Sequence, residues 1–246
     1  MTAEQDANPF KGALGAEYEM LRLICPGHPR LVQRLGLQVA HWAMGETLAG
    51  FEIGCGTGVG TASLLAAAPG LALVSVDSSA KMLAQSQANL AAEIRAGRLR
   101  LVEADALEAL RGLRNDGLDL VVSSYATHNF RADYRRLALA EAFRALKPGG
   151  LFVNADRYAL DDREAHLASA QADVRHWFKT FAELGRPDLL EEWVVHLMSD
   201  ESPDRIMYFS PALQELAELG FAPVRVDYRE GVDTLVIATK PARSQG

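Results

Sequence analysis

The tightest constraint on this chain's fold is an alternation. Short apolar runs near 48–53, 71–76, 99–103, 118–123 and 150–155 are separated by helical periodicities near 59–67, 79–96 and 133–146. Near-continuous apolar runs such as LALVSV suit strands buried on both faces, and a series of this kind folds as β-α-β units around a parallel sheet. The last two runs, 222–229 and 232–239, have only Glu230-Gly231 between them. That is too little chain for a crossover helix, so they pair as an antiparallel hairpin at one edge. The expectation is an α/β, doubly wound seven-stranded sheet, six strands parallel and one reversed.

Two regions lie outside the series. Residues 1–45 read as a helical lid: after a polar start, two helices are broken at Cys25-Pro26-Gly27, which cannot continue the first. Residues 160–206 read as a helical cap, leaving 46–159 and 207–246 as the core. In the cap, Leu167, Ala170, Val174, Trp177, Phe181 and Leu184 recur on one helical face, and Gly185 ends that helix. A second helix follows Pro187. A third begins at SPALQELAELG, with Ser210 as its cap, Pro211 in its first turn and Gly220 as its terminator.

Composition narrows the function classes. At 246 residues, 49% hydrophobic and 23% charged, the chain can bury a large core. It shows neither a signal-peptide pattern nor an 18-residue apolar span, so a cytoplasmic protein away from membranes is expected. Cys25 and Cys55 form no CxxC pair, which argues against structural zinc and disulfides. A net charge of −7 gives no general attraction to DNA.

The stretch FEIGCGTGVGT (51–61) carries the chemistry. With Gly54 and Gly56 in register, a dinucleotide fingerprint needs glycine at 59, where this chain has Val59. No GK[ST] follows, so the phosphate loop of an NTPase is excluded as well. What stands is E-x-G-x-G-x-G, Glu52 through Gly54, Gly56 and Gly58. A carboxylate at the end of the first strand repels a pyrophosphate and favours a ligand with an ammonium group and no phosphate. S-adenosylmethionine is such a ligand. Asp77 lies 23 residues after Gly54, at the end of the second strand, where a doubly wound fold places an acid against ribose hydroxyls. Asp105 follows the third strand and can accept from an adenine amino group. Three acids at successive strand ends form one crevice.

These motifs, with DLVVSSYATHNF (119–130) and LKPGGLFVNAD (146–156), resemble the class I S-adenosylmethionine-dependent methyltransferases over roughly 46–240. EYEMLRLICPGHPRLV and HWFKTFAELG further resemble a branch holding small-molecule methyltransferases and carboxy-S-adenosylmethionine synthases of tRNA modification. The resemblance implies strand order 3-2-1-4-5-7-6 with strand 7 antiparallel. It implies that Gly54, Cys55, Gly56 and Gly58 line S-adenosyl-L-methionine and its product S-adenosyl-L-homocysteine, with Glu52 orienting the ammonium. Asp77 would hold the ribose, Ser78 and Met82 would flank the adenine, and Asp105 with Ala106 would read its edge. Ser124 would underlie the methionine portion, and Tyr18 would close over it.

Methyl transfer from a sulfonium needs alignment and exclusion of water more than acid-base help. Where the acceptor must lose a proton, His128 is the candidate catalytic residue: on the resemblance it faces the crevice, and imidazole titrates near neutrality. Arg157, Trp177, His196 and Tyr208 are candidates for contact with a small-molecule substrate; Arg157 alternatively pairs with Asp156, Asp161 or Asp162. His166 and His176 read as solvent-facing or packing residues. No [DNS]PP[YFW] motif or Pro-Cys pair occurs in its expected place, so methylation of an adenine or glutamine amide and of a pyrimidine C5 has no support; the acid-asparagine pair of metal-dependent catechol enzymes is missing too, and no metal is expected. A homodimer is one open arrangement. The readings left standing are a small-molecule methyltransferase, a carboxy-S-adenosylmethionine synthase and a non-catalytic nucleotide-binding module.

Overall fold

The computed structural model describes residues 21–44 and 46–242. Helices α1 (Leu21–Ile24) and α2 (His28–Ala43) precede the sheet. The core then runs β1 (Leu48–Ile53), α3 (Val59–Ala67), β2 (Leu71–Asp77), α4 (Ala80–Asn89), α5 (Ala91–Arg95), β3 (Leu99–Glu103), α6 (Ala106–Arg111), β4 (Leu118–Ser124), α7 (Ala132–Ala145) and β5 (Leu146–Arg157). Cap helices α8 (Arg163–Leu184) and α9 (Pro187–Asp200) follow, then α10 (Phe209–Glu218), β6 (Val224–Glu230) and β7 (Asp233–Thr239). The strand order is 3-2-1-4-5-7-6, and β7 runs antiparallel to both β5 and β6. Among the described residues no helix is long and apolar enough to cross a membrane.

Side-chain alternation divides the interior. Leu120, Val122, Leu151, Val153, Leu235 and Ile237 face a cluster that also takes Leu31, Leu35 and Val39 from α2 and Leu64 and Leu65 from α3. Their neighbours Val121, Phe152, Val236 and Ala238 face the other cluster, with Leu110, Leu139 and Leu216 of α6, α7 and α10. Period-two strands carrying apolar residues on both faces need this double cover. The cap has its own cluster, Trp177, Phe181, Leu189, Trp193 and Leu197, joined by Ile24 of α1. Trp177 Nε1 donates to the Ile24 carbonyl at 2.8 Å, tying cap and α1 together.

Local departures from the sequence reading have local causes. The expected 79–96 helix breaks at Leu90, φ −116°, whose side chain packs against Gly58 while Asn89 donates to the Thr57 carbonyl at 3.0 Å. Strand β5 extends past both expected ends, because Leu146 pairs with Leu118 before an irregular stretch and Arg157 pairs with Asp233. Helix α10 starts one residue before Ser210, which is no cap: its amide and hydroxyl both bond Asp161, at 2.9 and 2.6 Å. Leu167 and Leu184, placed on the buried face of α8, are exposed at its ends.

Candidate active site

Strand β1 delivers Glu52 and then a loop in which Gly54, Gly56 and Gly58 have φ of 66°, 53° and 89°. A Cβ is disfavoured in this left-handed region. At Gly54 it would also lie 2.5 Å from the Ala126 side chain, and at Gly58 2.7 Å from those of Leu90 and Ser86. Three left-handed turns bring the loop to the N-terminus of α3, whose first amides have no partner within the helix. Glu52 is 1% exposed. Its Oε2 accepts from the hydroxyls of Thr61 and Ser75 at 2.6 and 2.7 Å, whereas Oε1 is buried without a hydrogen-bond partner. That oxygen lies at Gly60, where an added Cβ would come within 3.3 Å of it and 3.1 Å of Ser124. Burial pushes the Glu52 pKa up against the pull of the two hydroxyls, with Asp77 adding to the rise. An idle, buried carboxylate oxygen is costly until a donor reaches it.

Asp77 ends β2 and pins the loop: Oδ2 accepts from the Gly56 amide at 2.8 Å and Oδ1 from the Ser79 amide at 2.9 Å. Burial raises its pKa against those amides. Ser78 is exposed beside it. Met82 is 1% exposed, its amide capped by Ser79 Oγ at 3.3 Å, so its side chain belongs to the interior. Asp105 caps α6, accepting from the Glu108 amide at 2.9 Å and from the Tyr134 hydroxyl at 2.8 Å, and half-buried Ala106 follows. A carboxylate has about four lone-pair sites, which leaves room there for a further donor. Cys55 is buried, its amide on the Val76 carbonyl at 3.0 Å and its thiol pKa pushed up by burial. Half-buried Ser124 ends β4, and Tyr18 lies outside the described residues.

On the other side of β1, a single 3-10 turn after β4 (Thr127–Asn129) carries His128, and Asp156 is the penultimate residue of β5. Asp156 is fully buried and collects five donors. Its Oδ2 takes the Thr127 amide and hydroxyl and the His128 amide at 2.9, 2.6 and 3.3 Å, and Oδ1 takes His128 Nδ1 at 2.5 Å and the Arg157 amide at 2.8 Å. Burial works against a charged His128, but the Asp156 carboxylate outweighs it and the imidazole pKa rises. Asp156 ends below the usual carboxylate range, because the imidazole overcomes its own burial. Helix α9 adds His196 and Asp200, one turn apart: Nε2 of His196 is 3.3 Å and Nε2 of His128 3.7 Å from the same Asp200 oxygen. Burial, with His128 next, pushes His196 down to about 3, and burial pushes Asp200 up to about 6.

The sequence-derived substrate set therefore divides. His196 joins His128. Arg157 pairs with Asp173 of α8 at 3.3 Å rather than with Asp156, Asp161 or Asp162. Trp177, 2% exposed, is the centre of the cap's own core and not a pocket wall. Tyr208 sits under Arg163 and beside His166, a different neighbourhood from that of His128. His166 is buried and meets Glu201 at 2.7 Å, while His176 meets the Leu23 carbonyl at 3.0 Å. Two residues of the cluster were missed. Asp200 had a signal, its i,i+4 spacing from His196; Asp156 had another, its place at a strand's carboxyl end like Asp77.

Residues 51–150 match the methyltransferase domain family. Among curated proteins, the chain is similar to carboxy-S-adenosyl-L-methionine synthases: 24% identical over 168 residues to that of Photobacterium profundum, covering 65% of this chain and 64% of the relative. The Vibrio cholerae synthase is 23% identical over 163 residues, covering 65% and 63%. The matches thus span under two thirds of the length of these relatives. Among solved structures, an O-methyltransferase family protein from Burkholderia thailandensis superposes with a TM-score of 0.67 at 18% identity, covering 94% of this chain and 60% of that one. The S-adenosylmethionine-dependent methyltransferase SibL gives 0.58 at 19%, covering 84% and 54%.

Proposed function

The chain belongs, through residues 51–150, to the class I S-adenosylmethionine-dependent methyltransferases, and from that premise we propose that it methylates a small organic acceptor held between the strand ends and the cap. The observation that carries this reading is Glu52: a buried carboxylate with one idle oxygen, beside a loop of left-handed glycines, fits a cationic guest without phosphate. S-adenosylmethionine, when bound, supplies an electrophilic methyl group on a sulfonium and leaves as S-adenosylhomocysteine. Glu52 would accept from its ammonium, the amides of the Gly54–Gly58 loop would meet its carboxylate, and Asp77 its ribose hydroxyls. Ser78 and Asp105 with Ala106 would border the adenine, and Ser124 the methionine portion. Met82 would back the pocket from the interior.

On the acceptor side His128 is the residue proposed to meet the substrate. Asp156 holds its Nδ1, which aims Nε2 away from β5 and toward the groups of α9. The cap and α1, joined through Trp177, would keep water from the transfer. The alternative of carboxy-S-adenosylmethionine synthesis, raised by the curated relatives, calls for a cation facing a second carboxylate. Arg157 is engaged by Asp173, and Arg205 Nη1 by the Asn129 carbonyl at 2.5 Å, which favours methyl transfer.

The test is calorimetric titration of the purified chain with S-adenosylmethionine, S-adenosylhomocysteine and NAD. The first two should bind in the micromolar range and NAD should not. Asp77→Ala should weaken the first two by at least ~1 kcal/mol through lost charge-assisted hydrogen bonds. Tight NAD binding, indifferent to that substitution, would refute the reading.

A further inference from the structure

We propose that His128, His196 and Asp200 form a three-ligand site for a divalent transition metal of the zinc type, against the sequence expectation of no metal. The ligand atoms of these three residues lie within 4.8 Å of one another. Around a tetrahedral ion with bonds of about 2.0–2.2 Å, ligand atoms stand roughly 3.3–3.5 Å apart. The two edges that run to Asp200 measure 3.3 and 3.7 Å, within a few tenths of an ångström of that spacing, and the edge between the imidazoles is at most 4.8 Å.

The surroundings match what a metal-binding histidine needs. Metal-ligating imidazoles hand their other nitrogen to a carboxylate, which fixes the tautomer and strengthens the ligand. His128 does this through Nδ1 to Asp156, a carboxylate itself held by the Thr127 and Arg157 amides. With that proton committed, Nε2 presents a lone pair to an Asp200 oxygen that also faces His196, so three electron-rich atoms converge with a cation's place between them. His196 and Asp200 are one turn apart on α9 and present their ligand atoms together without rearrangement of the chain.

Charge and ligand type narrow the ion. Imidazole and carboxylate donors suit zinc, cobalt or iron over magnesium and calcium, which want all-oxygen cages. Arg157 and Arg205 are nearby cations that would oppose the site; Asp173 pairs with Arg157 while Asp233 adds a further negative charge. Three protein ligands rather than four is the count of a reactive metal site, whose fourth position takes water or substrate. This deepens the proposed methyl transfer and rests on it for the acceptor's chemistry. The acceptor is then a hydroxyl or thiol bound at the fourth position, where the metal lowers its pKa and its proton leaves to solvent. A bond forms from the acceptor oxygen or sulfur to the methyl carbon while the carbon–sulfonium bond breaks and its electron pair stays on sulfur. His128 is a ligand in this scheme rather than the proton acceptor.

The full chain, free of any affinity tag and stripped by a chelator, is titrated with Co²⁺ and with Zn²⁺. One equivalent of Co²⁺ should bind with the intense visible absorption of a four-coordinate ion, and Zn²⁺ should displace it. His196→Ala and Asp200→Asn should each weaken binding at least 100-fold, and Asp156→Asn about 10- to 100-fold. S-adenosylhomocysteine binding, read on the same variants, reports whether the cofactor half is folded and is expected to stay within a factor of about three. Absence of saturable Co²⁺ binding in wild type, or binding unchanged in variants that retain S-adenosylhomocysteine, overturns the metal site and leaves a hydrogen-bonded histidine-aspartate cluster. Loss of S-adenosylhomocysteine binding by wild type refutes the cofactor reading instead, whatever the metal does.

Discussion

The two halves of the sheet's carboxyl edge handle buried charge in opposite ways. On the β1–β2 side, Glu52 and Asp77 are held by neutral donors, hydroxyls for the first and backbone amides for the second, and burial raises both acids. On the β4–β5 side, carboxylates meet basic groups of the same chain: Asp156 faces the His128 imidazole, and Asp173 faces the Arg157 guanidinium. One half holds its acids with neutral donors alone, which is the electrostatic basis of the cofactor reading proposed above. The other sets its carboxylates against basic side chains of the same chain, with one oxygen of Asp200 facing two imidazoles. A fold can store affinity for a guest in the first way and rigidity in the second.

Breaking the β4–β5 half should show the largest effect. Asp156→Ala strips a fully buried carboxylate from five donors and leaves His128 unsupported, which should cost about 3–5 kcal/mol in urea-induced unfolding. A loss below about 1 kcal/mol would show that the network carries little of the fold. Next comes the loop that frames the β1–β2 half. Gly54→Ala places a Cβ at φ 66° and 2.5 Å from Ala126, and should cost about 1–3 kcal/mol while sharply weakening S-adenosylhomocysteine binding. Wild-type affinity in that variant would contradict a close-packed loop.

The smallest effect is the most discriminating. Because the Glu52 pKa is raised in the folded chain, its contribution to stability is fully present below the unfolded value and is lost as pH rises through the folded one. Without cofactor, ionised Glu52 therefore weighs against the fold at neutral pH, and Glu52→Gln should hold or raise the melting temperature there. The variant's melting temperature should also change less between about pH 5 and pH 8 than that of the wild type. Yet it should bind S-adenosylmethionine far more weakly, since the partner for the ammonium is gone. Parallel melting curves for the two proteins across that range would mean that Glu52 keeps an ordinary pKa and needs no external cation.

What could be read from the sequence follows the same division. The glycine loop lies in one stretch, 51–61, and Asp77 and Asp105 lie at or just past strands whose apolar runs are unmistakable, so the place of these residues in the fold was legible from local chain. The strand order followed from the Glu230-Gly231 hairpin together with the family resemblance. Helix α6 was missed because its six residues are too few for a period to show, and its cap, Asp105, was read as a ligand only. The His128 cluster is a meeting of a β4 turn, the end of β5 and a helix some seventy residues later. Periodicity placed Trp177 on a buried face but could not tell whether that face turned to the cap's own core or to a guest.

Gly54 and Ala126 have one more consequence. The glycine of the cofactor loop and the alanine two residues before His128 leave no room for a carbon atom between them. In the proposed function the two seats would share this party wall, so an occupant that shifts it for one would change the dimensions of the other. Linkage then makes the influence mutual: whatever factor the first tenant applies to the second's affinity is returned in full. Each guest should accordingly change the other's affinity by one common factor, set at a point where neither touches the other.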